Sequence, residues 1–318
     1  MVYNLKAMVF PEPFKSYSGY LRQKYGGRVY RVSVDAGFSC PNRGQDRRNA
    51  GCTYCDPFGS RAPYLGNQSD LENQVREGIS FLKSRYRAGP LILYFQAFSN
   101  TYAPVAELER IYDFALGLAP FKELIVSTRP DCIDGEVARL LKGYTKEGLD
   151  VWVELGLQSA SETTLRRINR RHTVAEYIDA HQLLKREGLN VTTHIIFGLP
   201  GELWEDIQKT VTIVASLLPD GIKIHNLHIP EGSAMYREYG RGELTVPSSQ
   251  RHLEYTISAL ELLPEQTVIM RLTCDTPRSR LGAPRIFWEK AHFYETLRRE
   301  MLRRSTFQGR LFLVSGAS

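Results

Sequence analysis

The stretch "VWVELGLQS", residues 151–159, decides the fold. Its odd positions, Val151, Val153, Leu155 and Leu157, are apolar, whereas Trp152, Glu154, Gly156 and Gln158 are chemically mixed. Successive side chains of a strand point to opposite faces. One face is therefore greasy along its whole length and suits a covering layer of helices. The other carries a carboxylate and an amide. The asymmetry recurs downstream: Thr192 and His194 share a face of "VTTHIIFG" (191–198), and Lys223 and His225 share a face of "GIKIHNLHI" (221–229). Polar groups that converge inside a sheet are costly unless a ligand or a hydrogen-bond network satisfies them. The pattern points to a site lined by strand ends. A buried Glu154 there requires a ligand, or Arg129 or Lys223, as its partner.

Working outward, further strands are expected at "RVYRVSVDA" (28–36), "LILYFQAF" (91–98) and "ELIVSTR" (123–129). Helices are expected near 69–87, 104–117, 134–147, 161–168 with 173–187, and 202–217, each with apolar residues three and four apart. Asp134 and Ser161 stand at N-cap positions, and Gly148 and Gly188 at C-cap positions. Six strands, each followed by a helical or loop connection, imply right-handed βαβ units and a parallel sheet. After residue 240 the alternation lapses into a helix near 248–263, a further strand candidate "TVIMRLTC" (267–274) and a basic helix near 284–304. The division expected is an N-terminal extension (1–27), a core (28–240) and a mainly helical C-terminal extension (241–318).

A chain of 318 residues with 42% hydrophobic residues suits one large α/β unit with an appendage. It has no run of eighteen apolar residues, so no membrane span is expected. Its N-terminus lacks a continuous apolar segment and a small-residue cleavage site, so a cytoplasmic location is expected. The net charge of +6 favours acidic partners, nucleic acid among them. Lys and Arg concentrate in "RRINRRH" (166–172) and in the tail 287–310, where a solvated helix face competes with a nucleic-acid surface.

Three of the five cysteines fall in "GFSCPNRGQDRRNAGCTYC" (37–55). A zinc site needs a fourth ligand, and the nearest histidine in sequence is His172. A thioredoxin-like reading of "CTYC" leaves Cys40 unexplained. A 4Fe–4S cluster held by three thiolates, with its fourth iron open, fits the count best. Cys132 and Cys274 stand alone and do not form a second cluster.

A cysteine-bearing loop after the first strand, ending in Cys52-Thr53-Tyr54-Cys55, resembles the radical S-adenosylmethionine (SAM) superfamily. Eleven residues separate Cys40 from Cys52, where most members have three. Longer gaps occur in the branch containing the elongator catalytic subunit. Within it, "VDAGFSCPNR…GCTYC", "YFQAFSNTYAP", "STRPDC", "VWVELGLQS", "LRRINRRH", "THIIFGLPGE", "DGIKIHNLHI" and "VIMRLTCDTPR" resemble successive signatures of the YhcC-type family.

The resemblance implies a partial (β/α)6 barrel with Cys40, Cys52 and Cys55 as cluster ligands at the strands' C-terminal ends. It further implies reductive cleavage of SAM to a 5′-deoxyadenosyl radical that abstracts a substrate hydrogen, with flavodoxin or ferredoxin as the one-electron donor. Tyr54 would lie beside the adenine. Gln96, Ser99 and Asn100 occupy the region that binds the methionine amino group, although the usual Gly-Gly-Glu is absent. Glu154 and Gln158 would contact the ribose or the methionine moiety, and Gly198 of "FGLPGE" the adenine. Arg129, His194, Lys223 and His225 are substrate-binding candidates, and Arg167 and Arg171 candidate anion ligands. The expected substrate is RNA, foremost a tRNA base. A small-molecule oxidoreductase and a non-catalytic metal-binding module are the alternatives.

Overall fold

The computed structural model describes residues 12–312 except 58, 60, 67–69, 87, 88, 147, 275, 277 and 278, with Pro63 described by its backbone alone. Residues 1–11 of the expected N-terminal extension, residues 69 and 87 of the first expected helix, and residue 147 lie outside the described set.

Seven parallel strands form one curled half-barrel sheet in the order β1 (Tyr30–Val34), β2 (Leu91–Phe95), β3 (Phe121–Thr128), β4 (Asp150–Gln158), β5 (Asn190–Phe197), β6 (Gly221–Asn226) and β8 (Val268–Arg271). All six expected strands are present. The candidate at 267–274 adds a seventh, so the stretch expected as a C-terminal extension contributes β8 to the core sheet. It pairs with β6 through Gly221↔Val268 and Lys223↔Arg271. The expected strand 221–229 is divided: β6 stops at Asn226, and β7 (Ile229–Pro230) pairs antiparallel with β9 (Leu281–Ala283).

Helices α2 (Leu71–Arg85), α3 (Val105–Leu116), α4 (Gly135–Lys146), α6 (Val174–Arg186) and α7 (Trp204–Ser216) follow the first five strands. The short α5 (Glu162–Arg167) precedes α6. Sequence caps account for their starts. Ser161 Oγ accepts from the Thr164 N–H, Asp134 Oδ1 from the Val137 N–H, and Thr173 forms a reciprocal capping box with Glu176. Val151, Val153, Leu155 and Leu157 are buried in the core shared with these helices. Each such side chain stabilises the fold by about 1.5–3 kcal/mol.

The inner face has two storeys. At the end where strands begin, Ile92, Tyr94, Ile125, Trp152 and Met270 pack with Tyr17 and Leu21 of α1 (Tyr17–Tyr25). This apolar plug confines the remaining interior to the strands' C-terminal ends, where barrel enzymes place their sites.

The outer edge of β8 is sealed by both ends of the described chain. Ser16 bridges Ile269, whose N–H donates to Lys15 O at 2.8 Å. The Gln308 side-chain carbonyl accepts from the Lys15 N–H at 2.9 Å, and its amide donates to Pro264 O and Thr267 O at 2.6 and 2.9 Å.

Beyond β7, α8 (Ala234–Gly240) and α9 (Ser249–Leu262) lead into β8, and α10 (Lys290–Arg303) follows β9. Phe293, Leu297 and Met301 of α10 are buried, whereas Ile286 before it is 93% exposed. Four of the tail's five arginines are paired, Arg298 with Glu12 at 2.9 Å, Arg303 with Glu300 at 2.9 Å, Arg304 with Glu254 at 2.7 Å and Arg310 with Glu261 at 2.8 Å, while Arg299 is exposed without an ion pair to a described residue. Such pairs are what a solvated helix face, one of the two alternatives for the tail, would carry. No helix among the described residues is long and apolar enough to cross a membrane.

Candidate active site

The loop from β1 to α2 carries Cys40, Cys52 and Cys55, and the sequence builds it from tight turns. The N–H groups of Arg43 and Gly44 both donate to Cys40 O, at 2.9 and 3.0 Å. The Cys55 N–H donates to Cys52 O at 3.0 Å. Thr53 is tied at both ends, its N–H donating to Ile168 O and its carbonyl accepting from the Met235 N–H, each at 3.0 Å. Gln74 of α2 clamps the loop's start with two hydrogen bonds to the Asp35 backbone.

All three cysteines line a cavity of about 410 Å³ at the C-terminal ends of the strands. Of the residues singled out from sequence, Tyr54, Gln96, Arg129, Glu154, Gln158, His194, Lys223 and His225 share its wall. Ser99, Asn100 and Gly198 are placed elsewhere. Ser99 Oγ lies 2.9 Å from Thr128 Oγ1, and Asn100 Nδ2 donates to Ser127 O at 2.9 Å, so both tie the end of β2 to the end of β3. Gly198 has φ +86°, and a Cβ there would meet Pro247 Cγ at 2.2 Å. Its freedom serves packing against Pro247.

Arg170 was not singled out from sequence. Arg167 and Arg171, which were, sit at the surface: Arg167 pairs with Glu238, and Arg171 Nε donates to Asn169 Oδ1 at 3.1 Å. Arg170, between them, turns inward. Its Nη1 lies 3.7 Å from Cys52 Sγ, its Nη2 donates to Gly156 O at 2.6 Å, and its Nε to His172 Nε2 at 2.9 Å. Gly156 makes the space, since a Cβ there would stand 2.6 Å from Arg170 Nη2. A glycine inside a strand is the one available signal of such an approach. Asn42 was also missed. Its Nδ2 donates to Cys52 Sγ at 3.2 Å and to Asn169 O at 2.6 Å.

These neighbours separate the cysteines electrostatically. Burial alone would raise the Cys52 thiol, but the Arg170 and Arg129 guanidiniums and the Arg170 and Asn42 hydrogen bonds bring it below its ordinary value. Burial, with the charge of Cys52, pushes Cys55 up to about 11. Arg129 is held by a bidentate pair with Asp131 at 2.8 Å and by Arg170 O, leaving its buried Nη1 without a partner.

Deeper in the barrel, Glu154 accepts from Tyr94 Oη at 2.7 Å and Ser127 Oγ at 2.6 Å and is ion-paired with Lys223. Burial opposes its ionisation, but Lys223 and Arg31 hold it down at about 2. Burial lowers Lys223 as well, and Arg31 and Arg271 push the same way against Glu154. The His194 and His225 rings stand 4.0 Å apart. Both are held neutral, first by burial and then by cationic neighbours. Gln158, at φ +75°, ends β4 where the register shifts, and its Oε1 is buried without a partner.

Cys274 also lines the cavity, beside Thr276, whereas the half-buried Cys132 is not among the lining residues. Among the described residues, no group of three or more His, Cys, Asp or Glu converges on a single-ion site. One zinc ion requires such convergence, whereas three thiolates of an iron–sulfur cube each bind a different iron.

Comparison with known proteins agrees with this geometry. Residues 45–214 match the Radical SAM superfamily and residues 219–303 the radical SAM C-terminal domain. The chain is 34% identical to YtqA of Bacillus subtilis over 92% of its own length and 91% of that protein's. It is 36% identical to YhcC of Escherichia coli strain K12 over 84% and 85%. It also matches a tRNA uridine(34) acetyltransferase of Methanocaldococcus infernus, at 33% identity, over 48% of this chain and 29% of that one. The structure of an archaeal Methanocaldococcus infernus Elp3 with its N-terminus deleted shares the fold, with a TM-score of 0.68 and 22% identity over 88% of this chain and 64% of that one. The parallel half-barrel, its cysteine-lined mouth and full-length relatives place the chain in the radical SAM superfamily of enzymes, within its YhcC-type, elongator-like branch.

Proposed function

We propose that Cys40, Cys52 and Cys55 hold a 4Fe–4S cluster, that SAM binds in the adjoining cavity, and that the enzyme modifies a tRNA base. One observation carries the cofactor reading: the three cysteines share a cavity with buried polar atoms that lack partners, among them Arg129 Nη1, Gln158 Oε1, His194 Nε2 and His225 Nε2. Such atoms are costly unless a ligand meets them. When bound, the cofactor pair supplies reductive sulfonium cleavage and hydrogen-atom abstraction.

The chain's own residues then have definable tasks. Arg170 and Asn42 favour the Cys52 thiolate needed for metal ligation. Arg129 offers a free guanidinium N–H to a carboxylate. Gln96 and Gln158 offer amides, and Tyr54 an aromatic face. The Glu154–Lys223 pair, fixed by Tyr94 and Ser127, keeps the floor rigid. Flavodoxin or ferredoxin is the proposed reductant, and five free cysteines suit the reducing cytoplasm.

Similarity to tRNA uridine(34) acetyltransferases supports the tRNA reading. So does the cavity-side loop that carries Arg170 and exposes Arg171. The paired arginines of α10 favour a second reading, a small-molecule substrate.

Anaerobic reconstitution tests the cofactors. The wild type should absorb broadly near ~400 nm, as thiolate-ligated iron–sulfur clusters do, and release 5′-deoxyadenosine with a reductant. Cys40→Ala, Cys52→Ala and Cys55→Ala should each lose both properties, and Cys132→Ala neither. Turnover by the triple variant would reject the mechanism. Salt-sensitive tRNA binding and a tRNA nucleoside whose mass changes on gene deletion should follow. Absence of both would leave the small-molecule reading.

A further inference from the structure

We infer that the wall built by β5, β6 and β8 is a subsite for an anionic group, a carboxylate or a phosphate, on the reacting part of the substrate. This rests on the cavity being the substrate site proposed above. Among the described residues, the cavity wall carries seven Arg and Lys side chains and two carboxylates, Asp56 and Glu154. Both carboxylates are already engaged, Asp56 with Arg280 at 2.9 Å and Glu154 with Lys223. Asp131 and Asp35, outside the wall, pair with Arg129 and Arg61, which leaves Arg43, Arg170 and Arg271 without a carboxylate partner among the described residues. Bound cofactors would not remove this smaller excess, because a thiolate-held cluster and a sulfonium carry opposite charges.

Arg43 Nε and Arg129 Nη1 are unmatched on the cysteine side, and a second group of unmatched donors lies on the opposite wall. The side chain of Arg271, the last residue of β8, makes no hydrogen bond or ion pair with another described residue. Beside it stand the His194 and His225 rings, whose Nε2 atoms are buried without partners. Register brings these strands together: His194 pairs with Lys223, and Lys223 with Arg271. After burial, Arg271 is among the neighbouring charges that lower the proton affinity of both imidazoles. A neutral base or sugar would leave that guanidinium uncompensated. An oxyanion would accept from Arg271 and both histidines in charge-assisted hydrogen bonds. The wall is remote in sheet order from the cysteine loop, since β8 is the edge opposite β1. A backbone phosphate of a large substrate would remain at the mouth, so the anion belongs to the substituent that enters the barrel.

The test is anaerobic calorimetric titration of inorganic phosphate and, separately, acetate into the reconstituted enzyme with SAM present. One of the two should bind saturably, its identity naming the group. Arg271→Gln should weaken that binding at least tenfold, and Arg271→Lys should retain most of it. Cys40→Ala, which loses the cluster, should still bind the anion. A failed cofactor reading is thereby distinguished from a failed subsite. No saturable binding of either anion by the wild type, or equal binding by Arg271→Gln, would overturn the inference.

Discussion

Replacing Glu154 by Gln should destabilise the protein by about 3 kcal/mol at pH 7. The carboxylate is 4% exposed and is held at about 2 against an ordinary 4.5, by Lys223 and Arg31 acting against burial. A displacement of that size, at 1.36 kcal/mol per pH unit, gives the figure. It lies at the lower end of the range for breaking a buried pair. Burial already lowers Lys223, so without Glu154 the amine sheds its proton, which limits the loss. Because the carboxyl is depressed, its contribution is complete above 4.5 and disappears as pH falls toward 2. Thermal unfolding followed by far-ultraviolet circular dichroism reads the effect. At roughly 2 °C per kcal/mol for a chain of this size, Tm should fall by about 6 °C at pH 7. The wild-type advantage should vanish near pH 2. The double variant Glu154→Gln/Lys223→Met should recover at least half of the loss, because it replaces a buried amine, which without its partner must be deprotonated and left unpaired, by an apolar side chain of similar length. A shift of about 1 °C or less for Glu154→Gln at pH 7 would refute the assignment of Glu154 as an ionised, paired group.

Two further perturbations follow from the same electrostatics. Arg170→Gln should raise the pH at which Cys52 reacts with a thiol-alkylating reagent in the cluster-free protein, because Arg170 is the first charge that lowers it; an unchanged pH profile, read by mass spectrometry of the Cys52 peptide, would refute this. Glu123, buried between Tyr17 and Tyr25, is raised from 4.5 to about 7, so the folded state binds its proton more tightly. Wild-type stability should therefore decline as pH rises from 4.5 through 7, whereas Glu123→Gln should lack that component in urea unfolding curves. Parallel curves for the two proteins would contradict it.

The alternation in "VWVELGLQS" was sufficient to orient β4, because the period of a strand is fixed by its backbone and the apolar face is unbroken. The same logic correctly grouped Glu154, His194, Lys223 and His225. It also offered Lys223 as the partner of Glu154, a pairing the structure contains. The seventh strand was visible only as a candidate, since β8 is four residues long and its partner β6 precedes it by more than forty residues. Arg170 was hidden for a different reason. Within "RRINRRH" every arginine looks alike, and positive φ angles at Asn169 and Arg171 aim just one of them inward. Ser99, Asn100 and Gly198 were candidates because their motifs resemble cofactor-binding segments of the superfamily. The contacts of Ser99 with Thr128, of Asn100 with Ser127 and of Gly198 with Pro247 are ones that local sequence does not encode.

The seam at β8 sets an order of events during synthesis. Residues 13–16 and the cysteine loop leave the ribosome early, yet their partner Gln308 and the strand bearing Arg271 come late. At ordinary elongation rates the cysteine side of the cavity waits on the order of ten seconds or more for its opposite wall. Once β6 has emerged, and until β8 follows, β6 presents an unpaired edge, the feature most prone to capture by another strand. Pairing with β8 ends this exposure, and Gln308, reaching from a late segment to Pro13 and Lys15, then latches the cover over the outer edge of β8.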